Sequence, residues 1–151
     1  MNEIIVNPIA YVRNDRREPI DDNWRSVEST IELLEELPEE CLDGIENFSH
    51  LEIIYFFDKS TKTYTGSEHP RENSAYPKVG IFAQRKKDRP NHLGATFVNL
   101  IKHDKRRLIV KYLDAIDGTP VLDIKPVFEE YMPDGKIMQP GWVRELMKNY
   151  W

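Results

Sequence analysis

Residue types that build several well-known kinds of site are scarce in this chain of 151 residues. Its single cysteine, Cys41, has no partner for an internal disulfide, which favours a reducing, intracellular environment. The seven glycines never stand two positions apart, so neither the GxGxxG turn of dinucleotide-binding folds nor a Walker phosphate loop exists. The four histidines form no HxxxH pair and there is no CxxC pair, so we expect neither a zinc nor an iron site.

Long apolar runs are lacking too. The apolar stretch near the N-terminus is interrupted by Asn7 and Pro8, which leaves it too short for a signal peptide or a membrane span. We therefore expect a soluble, cytoplasmic protein with no membrane partner. The length of the chain indicates one domain that is large enough to bury its own core.

Charge is unevenly distributed along the chain. The net charge is −5, yet residues 85–111 carry nine Lys and Arg against two Asp, a local balance of +7. Residues 21–46 carry ten acids against one Arg, a local balance of −9. Either run is consistent with a solvated face. Because the basic run flanks the polar clusters described below, it also favours a partner that bears phosphate groups.

Short stretches rich in β-branched and aromatic residues dominate the chain and predict a mainly β fold. One of them, residues 27–33, alternates with period two, although residues 28–37 also fit a helix. A short helix is expected at 38–45, and residues 142–151 fit an amphipathic helix in an otherwise irregular tail. Many short strands with little helix are typical of a β-barrel or a sandwich. The predicted strands are 4–12, 27–33, 51–57, 78–83, 95–103, 108–113 and 120–124.

Three polar clusters follow apolar strands, at residues 84–91, 114–120 and 123–126. Strand-end loops that carry Arg, Asp, Asn and Gly are how a small β fold presents a polar site from a rigid frame. A loop at residues 60–77, which has almost no aliphatic residues, is of a length that is usually functional or mobile. The sequence therefore predicts a polar site built from several strand ends.

The same clusters carry motifs that resemble a known family. They are FAQR at 82–85, RPNHLG at 89–94, LDAIDGTPV at 113–121 and DIKP at 123–126, preceded by GIENFSHL at 44–51. Together these motifs resemble the TsaA-like family (YaeB, TrmO) of S-adenosylmethionine-dependent tRNA methyltransferases, with departures at Gln84, His92 and Asp58. The resemblance implies a small single β-barrel over residues 1–128. Residues 129–151 then form a C-terminal tail that packs on the barrel or on a dimer partner.

The resemblance also implies an activity and a set of site residues. Family members transfer a methyl group from S-adenosylmethionine to the exocyclic amine of a modified adenosine next to the tRNA anticodon, and bind the donor near a dimer interface. We therefore expect S-adenosylmethionine as the cofactor, tRNA or another nucleobase-containing acceptor as the partner, and a homodimer. By position, the implied donor-binding residues are Arg85, Ala95, Tyr112, Leu113, Asp114, Asp58, Lys59 and Asn91, together with the loop at 17–24.

The chemistry of these side chains agrees with such a site. The Arg85 guanidinium can form a two-pronged hydrogen bond with the carboxylate of the donor, and the edge at 113–116 offers backbone groups to a purine. An amine loses a proton when it is methylated, so Asp114 and Asp117 are candidate proton acceptors. The basic side chains that we expect to bind the substrate are Arg89, Lys86, Lys87 and Lys125.

Other interpretations of the same residues stay open. Asp117 and Gly118 also form a common turn signal, and Asp123 and Lys125 also fit a simple ion pair. A small-molecule methyltransferase with the same donor site fits the motifs as well. So does a module that binds S-adenosylmethionine or RNA without turnover.

Overall fold

A computed structural model describes residues 2–151 of the chain, which contain eight strands and one α-helix. The strands are β1 (Ala10–Arg13), β2 (Glu28–Leu33), β3 (His50–Phe56), β4 (Ser67–Glu68), β5 (Val79–Gly80), β6 (Leu93–Asp104), β7 (Arg107–Lys111) and β8 (Pro120–Pro126). Six of them form a closed antiparallel barrel in the order β1-β2-β7-β6-β3-β8, which β1 closes by pairing with β8. Because the barrel is closed, each of its strands pairs with a neighbour on both sides. This architecture confirms the predicted single β-barrel.

Alternation of side chains along the strands places the hydrophobic core inside the barrel. In β3, Leu51, Ile53 and Tyr55 are buried, while the residues between them are partly exposed. In β2, Ile31 and Leu33 are buried with the same period of two. The strand interpretation of this segment is therefore confirmed, and the helical alternative is wrong.

Close packing between β3 and β6 fixes the position of one aromatic ring. Gly94 in β6 lies opposite Tyr55 in β3, and a Cβ atom added at Gly94 would overlap the Tyr55 ring. Because any larger residue there would push the ring away, the glycine makes room for it. The Tyr55 hydroxyl then reaches Asp114, in the connection between β7 and β8.

Two predicted strands are shorter than the sequence pattern indicates. The first strand begins only at Ala10, and the apolar side chains of Ile4 and Ile5 are exposed before it. The strand expected at 78–83 is reduced to β5, which pairs with β4 outside the barrel and continues into a tight 3₁₀ turn. The Gln84 side chain closes this turn by donating a hydrogen bond to the Val79 carbonyl at 3.0 Å.

Helical structure is sparse and mostly of the 3₁₀ type. The helix expected at 38–45 is two 3₁₀ turns, because Gly44 adopts a left-handed φ of 83° between them. The helix expected at 142–151 is α1 (Gly141–Leu146), which ends before residues 147–150 turn back onto the barrel. No helix in the described part of the chain combines the length and apolar character needed to cross a membrane. The 3₁₀ turns are Glu39–Leu42, Ile45–Asn47, Pro70–Glu72, Ile81–Ala83 and Glu129–Tyr131.

Candidate functional site

Four segments that lie far apart in sequence meet at the carboxylate of Asp114. Tyr55 of β3 donates its hydroxyl to Asp114 Oδ1 at 2.8 Å. Thr96 of β6 donates to the same oxygen, and Tyr150 of the C-terminal tail donates to Oδ2. Three hydroxyl groups thus hold one carboxylate at the end of the barrel. Charge-assisted hydrogen bonds of this kind are the stronger ones in proteins.

The surroundings of Asp114 keep both phenols protonated. Burial raises the pKa of the Tyr55 hydroxyl well above its usual range, and the negative charge of Asp114 raises it further. Burial, and then the charge of Asp114, also raise the pKa of Tyr150. Both tyrosines therefore remain hydrogen-bond donors at neutral pH. These three hydrogen bonds leave one of the roughly four lone-pair sites of the carboxylate, on Oδ2, for a proton from a substrate.

Arg85 lies close to the residues that hold this carboxylate. It follows the 3₁₀ turn Ile81–Ala83, and its Nη2 atom donates to the carbonyl of Ala95 at 2.6 Å. Ala95 immediately precedes Thr96 in β6, and the charge of Arg85 acts on the nearby Tyr150 phenol. The rest of the Arg85 side chain is exposed. An exposed guanidinium therefore lies close to the residues that hold the partly buried Asp114.

An aromatic pair adjoins the same cluster. Tyr112 adopts a left-handed φ of 66°, which is strained for a residue with a side chain. Its ring centroid lies 5.4 Å from that of Trp151, and the Arg25 guanidinium lies 5.9 Å from its ring. Leu113, by contrast, is fully buried in the barrel core, so its side chain is structural.

Asp117, the second candidate proton acceptor, has its carboxylate engaged with the backbone. Its Oδ1 atom accepts a hydrogen bond from the Asn14 amide at 3.1 Å, and its own amide donates to the Arg16 carbonyl at 2.7 Å. The next residue, Gly118, has a φ of 83°, which favours glycine. Asp117 and Gly118 therefore form the turn that was the other interpretation of these two residues. A role of Asp117 in proton transfer stays a prediction.

The basic residues at 86–89 are largely used within their own loop. Lys86 forms an ion pair with Glu68, and its Nζ atom lies 4.3 Å from the centroid of the Tyr64 ring. Lys87 Nζ lies 2.8 Å from the carboxylate of the buried Asp88. Arg89 donates to the carbonyl of Gln84 at 3.0 Å. The Lys86 contacts fasten the loop to residues 64–68, whereas those of Lys87 and Arg89 lie within the loop.

The remaining predicted site residues lie at the periphery. Asp58 and Lys59 pair with each other at 3.7 Å beyond the end of β3, and Asn91 is exposed in the turn before β6. Lys125 pairs with Asp123 at 2.6 Å, and this hydrogen bond and charge raise the pKa of Lys125. Among the described residues, no hydrogen bond or ion pair joins any of these four predicted site residues to Asp114. Also within residues 2–151, no group of three His, Cys, Asp or Glu side chains is placed to hold a metal ion.

Sequence reasoning missed three hydroxyl groups that contact Asp114. Tyr55 fits a core aromatic residue, and its ring is indeed buried, but its hydroxyl needs a polar partner. Thr96 is one more β-branched residue in a strand. Tyr150 lies in a tail that the pattern describes only as apolar. The need of a buried tyrosine hydroxyl for a partner was the one signal available in the sequence.

A family model described as the tRNA-methyltransferase O N-terminal domain matches residues 12–132. The match includes the six barrel strands almost completely, together with Arg85 and Asp114. The chain belongs to this family. The resemblance inferred from the sequence motifs is thereby confirmed.

Two relatives of this tRNA-methyltransferase O family member have informative names. A human protein named tRNA (adenine(37)-N6)-methyltransferase is 39% identical over 105 residues, which cover 68% of this chain and 23% of the human protein. A Pyrococcus abyssi protein named a probable S-adenosyl-L-methionine-binding protein is 34% identical over 152 residues. That match covers 97% of this chain and 78% of the archaeal protein.

A solved structure has the same fold. The crystal structure of TrmO from Pseudomonas aeruginosa superposes with a TM-score of 0.72 at 29% sequence identity. The superposition covers 89% of this chain and 61% of the crystallised chain. This member of the family thus spans about a quarter of the human relative's length and under two thirds of the bacterial one.

Proposed function

We propose that this chain is an S-adenosylmethionine-dependent methyltransferase that acts on the exocyclic amine of a modified adenosine next to the tRNA anticodon. The observation that carries the proposal is an exposed Arg85 bound to Ala95, next to the Thr96 that helps hold Asp114, in a tRNA-methyltransferase O barrel. The human relative named tRNA (adenine(37)-N6)-methyltransferase supports the choice of acceptor. The archaeal relatives named as S-adenosyl-L-methionine-binding proteins support the choice of donor.

The side chains present fit the groups of this donor. When bound, S-adenosylmethionine supplies an electrophilic methyl group on a sulfonium cation, next to an α-amino acid and an adenine. The Arg85 guanidinium is suited to the carboxylate of the amino acid. The Asp114 carboxylate is suited to a cationic or hydroxyl group. The Tyr112 and Trp151 rings offer an aromatic surface to a purine.

Methyl transfer to an amine requires that the two reactants are aligned and that one proton is removed. The amine nitrogen forms a bond to the methyl carbon, the carbon–sulfur bond breaks, and the nitrogen loses one proton. The protein contributes mainly by holding both reactants in line and by excluding water. Asp114 accepts three hydrogen bonds and the Asp117 carboxylate accepts one from the backbone amide of Asn14, so each has a lone pair left that can take the proton. We keep both carboxylates as candidate acceptors on this ground.

We further propose a homodimer in the cytoplasm. Large apolar side chains are exposed in several parts of the described chain, and such surface is commonly covered by a partner. These side chains include Ile4, Ile5, Val6, Ile20, Phe82, Phe97, Ile101, Tyr131, Ile137 and Met138. Light scattering that finds a monomer at micromolar concentration would contradict this assembly.

A second candidate function is methylation of a small molecule from the same donor site. The specific observation in its favour is that Tyr150 and Trp151 lie over Asp114 and Tyr112, which reduces the room for a large acceptor. The ion pairs of Lys86 and Lys87 also favour a small acceptor, because they leave less positive charge for binding RNA. A non-catalytic binding module would share the donor site but show no turnover.

One experiment separates these functions. The purified protein is incubated with isotopically labelled S-adenosylmethionine and with tRNA, and digested nucleosides are then analysed by mass spectrometry. Transfer of label to a modified adenosine supports the proposal. Donor binding without transfer to any tRNA supports the small-molecule or non-catalytic alternatives, and absence of donor binding contradicts all three.

A further inference from the structure

The C-terminal tail reaches Asp114 from outside the segment that matches the family. The family match ends at residue 132, whereas Tyr150 donates its hydroxyl to Asp114 Oδ2. Tyr55 and Thr96, which donate to Oδ1, both lie within the match. One carboxylate is therefore held partly by the family fold and partly by a segment beyond it.

The tail is fixed by its backbone on a strained loop. The amides of Asn23 and Trp24 donate to the carbonyls of Asn149 and Tyr150 at 2.8 and 2.9 Å. Asn23 has a left-handed φ of 64°, and Trp24 is buried with the Arg16 guanidinium 4.4 Å from its ring. Because the main chain is held at Asn149 and Tyr150, the Tyr150 hydroxyl is restricted to one position.

A carboxylate needs contacts on both oxygens to have one orientation. The torsion that turns the carboxylate of an aspartate has a broad, two-fold energy profile, so hydrogen bonds to Oδ1 alone leave the plane of the group poorly defined. The hydrogen bond from Tyr150 to Oδ2 supplies the contact on the second oxygen. Burial and the charge of Asp114 raise the pKa of Tyr150, so this phenol stays a donor and is itself no base at neutral pH.

We propose that Tyr150 is a positioning residue of the donor site, which fixes the Asp114 carboxylate in the orientation that binds S-adenosylmethionine. The inference rests on the proposed function. It assigns a role to a tail segment that the family match does not include. The alternative is that Tyr150 acts as a plug. Its hydroxyl would then occupy the place of a group of S-adenosylmethionine and leave when S-adenosylmethionine binds.

Calorimetry with S-adenosylmethionine distinguishes these two arrangements. Tyr150→Phe removes one hydroxyl and keeps the ring, so tail packing is retained. We expect the affinity to fall about three- to tenfold, at a temperature well below unfolding. Tyr131→Phe, the same change at an exposed tail tyrosine, is the matched control and leaves the affinity unchanged. A tighter complex with Tyr150→Phe would identify a plug and overturn the proposal.

A second readout tests the contact without any donor. Carbon-13 NMR of ring-labelled tyrosine gives a Tyr150 signal that is assigned by its loss in Tyr150→Phe. We expect Asp114→Asn to move this signal while the Tyr131 signal stays in place. An unmoved Tyr150 signal would overturn the inference.

The outcomes for the wild-type protein keep the two proposals apart. If the wild type binds S-adenosylmethionine and Tyr150→Phe binds it equally well, the inference is wrong and the proposed function stands. If the wild type binds no donor, the proposed function is wrong and the positioning role fails with it. In that case the NMR readout still decides whether the tail holds Asp114.

Discussion

Arg85 presents an exposed guanidinium that, within residues 2–151, is engaged by one backbone carbonyl, so its loss leaves the barrel core untouched. We expect Arg85→Ala to weaken S-adenosylmethionine binding by about 1.5–3 kcal/mol, the range for a hydrogen bond to a charged group. Arg85→Lys keeps the charge without the planar fork and is expected to lose part of this affinity. Calorimetry measures both, with Arg107→Ala at the paired β2–β7 face as the control. Equal donor binding by Arg85→Ala and the wild type would show that Arg85 is no donor ligand.

Gly94 is the residue whose lack of a side chain positions Tyr55. We expect Gly94→Ala to cost about 1–3 kcal/mol of the free energy of unfolding, because the new Cβ overlaps the Tyr55 ring. Gly66→Ala is the control, since a Cβ at Gly66 meets no atom within 4 Å. Urea denaturation compares the two variants, and similar unfolding midpoints would show that the ring has room to move.

The site could be predicted from sequence only as far as its motifs extend. Arg85 and Asp114 stand in short motifs whose residue types suit the donor, so the sequence marks them as candidates. Tyr55, Thr96 and Tyr150 could not, because they meet Asp114 only through the pairing of β3 with β6 and through the docking of the tail. Long-range contacts of this kind leave no periodic signal in the chain.

The loop after β3 is held to the loop before β6 by one buried acid, Asp88. Its carboxylate accepts hydrogen bonds from Ser60 Oγ at 2.5 Å and from Lys87 Nζ at 2.8 Å. Burial alone would raise the pKa of Asp88, but the Lys87 and Ser60 hydrogen bonds outweigh burial, so the pKa lies below its usual range. A lowered pKa means that the ionised carboxylate stabilises the folded state.

We expect Asp88→Asn to cost about 1–3 kcal/mol of the free energy of unfolding at neutral pH. Since the folded pKa is the lower one, this contribution is complete above the pKa of the unfolded chain and is lost as the pH falls through the folded pKa. The difference between wild type and variant therefore shrinks on acidification below about pH 4. Urea denaturation at several pH values measures it. A difference that is the same at all pH values would show that ionised Asp88 stabilises nothing.

The tail that includes α1 contacts two loops as well as Asp114. Its backbone bonds to Asn23 and Trp24, and the Trp142 ring lies 6.2 Å from that of Tyr76. Deleting residues 142–151 removes these contacts together, and we expect a loss of roughly 2–4 kcal/mol from a few hydrogen bonds of about 1 kcal/mol each and from exposure of Trp24. Thermal unfolding and circular dichroism check that the barrel remains. An unchanged unfolding midpoint would mean that the tail is not part of the folded unit.

Elements inside the barrel could be predicted well, and elements outside it could not. The sequence of β2 and β3 alternates between apolar and polar residues, which predicts the alternation of buried side chains. Each of these strands then finds a partner because the barrel is closed. Residues 4–9 and 78–83 also contain β-branched residues, but their length as strands depends on whether a partner strand lies beside them. For β5 that partner is only the two-residue β4.

The charge separation of the sequence is partly offset in the folded molecule. Because β2 pairs with β7, the acidic and basic runs lie side by side. Ion pairs link Arg107 with Glu32 at 3.3 Å and Arg106 with Glu39 at 3.5 Å, and a hydrogen bond of 3.1 Å joins His103 Nδ1 and Glu46 Oε2. The positive charge that remains near the candidate site is therefore that of the 85–89 loop rather than of the whole basic run.

This distribution of charge limits how strongly salt can weaken RNA binding. A single strand contributes a log–log slope of about −0.7 per neutralised phosphate. Two or three phosphates at the 85–89 loop predict a slope of about −2, whereas use of all nine Lys and Arg in residues 85–111 would give about −6. Fluorescence anisotropy with labelled tRNA over a salt series measures this slope, and Arg107→Ala is expected to leave it unchanged. A slope near −6 would place RNA along the β2–β7 face. Absence of tRNA binding at low salt would favour a small-molecule acceptor, whose binding carries no such dependence on released counterions.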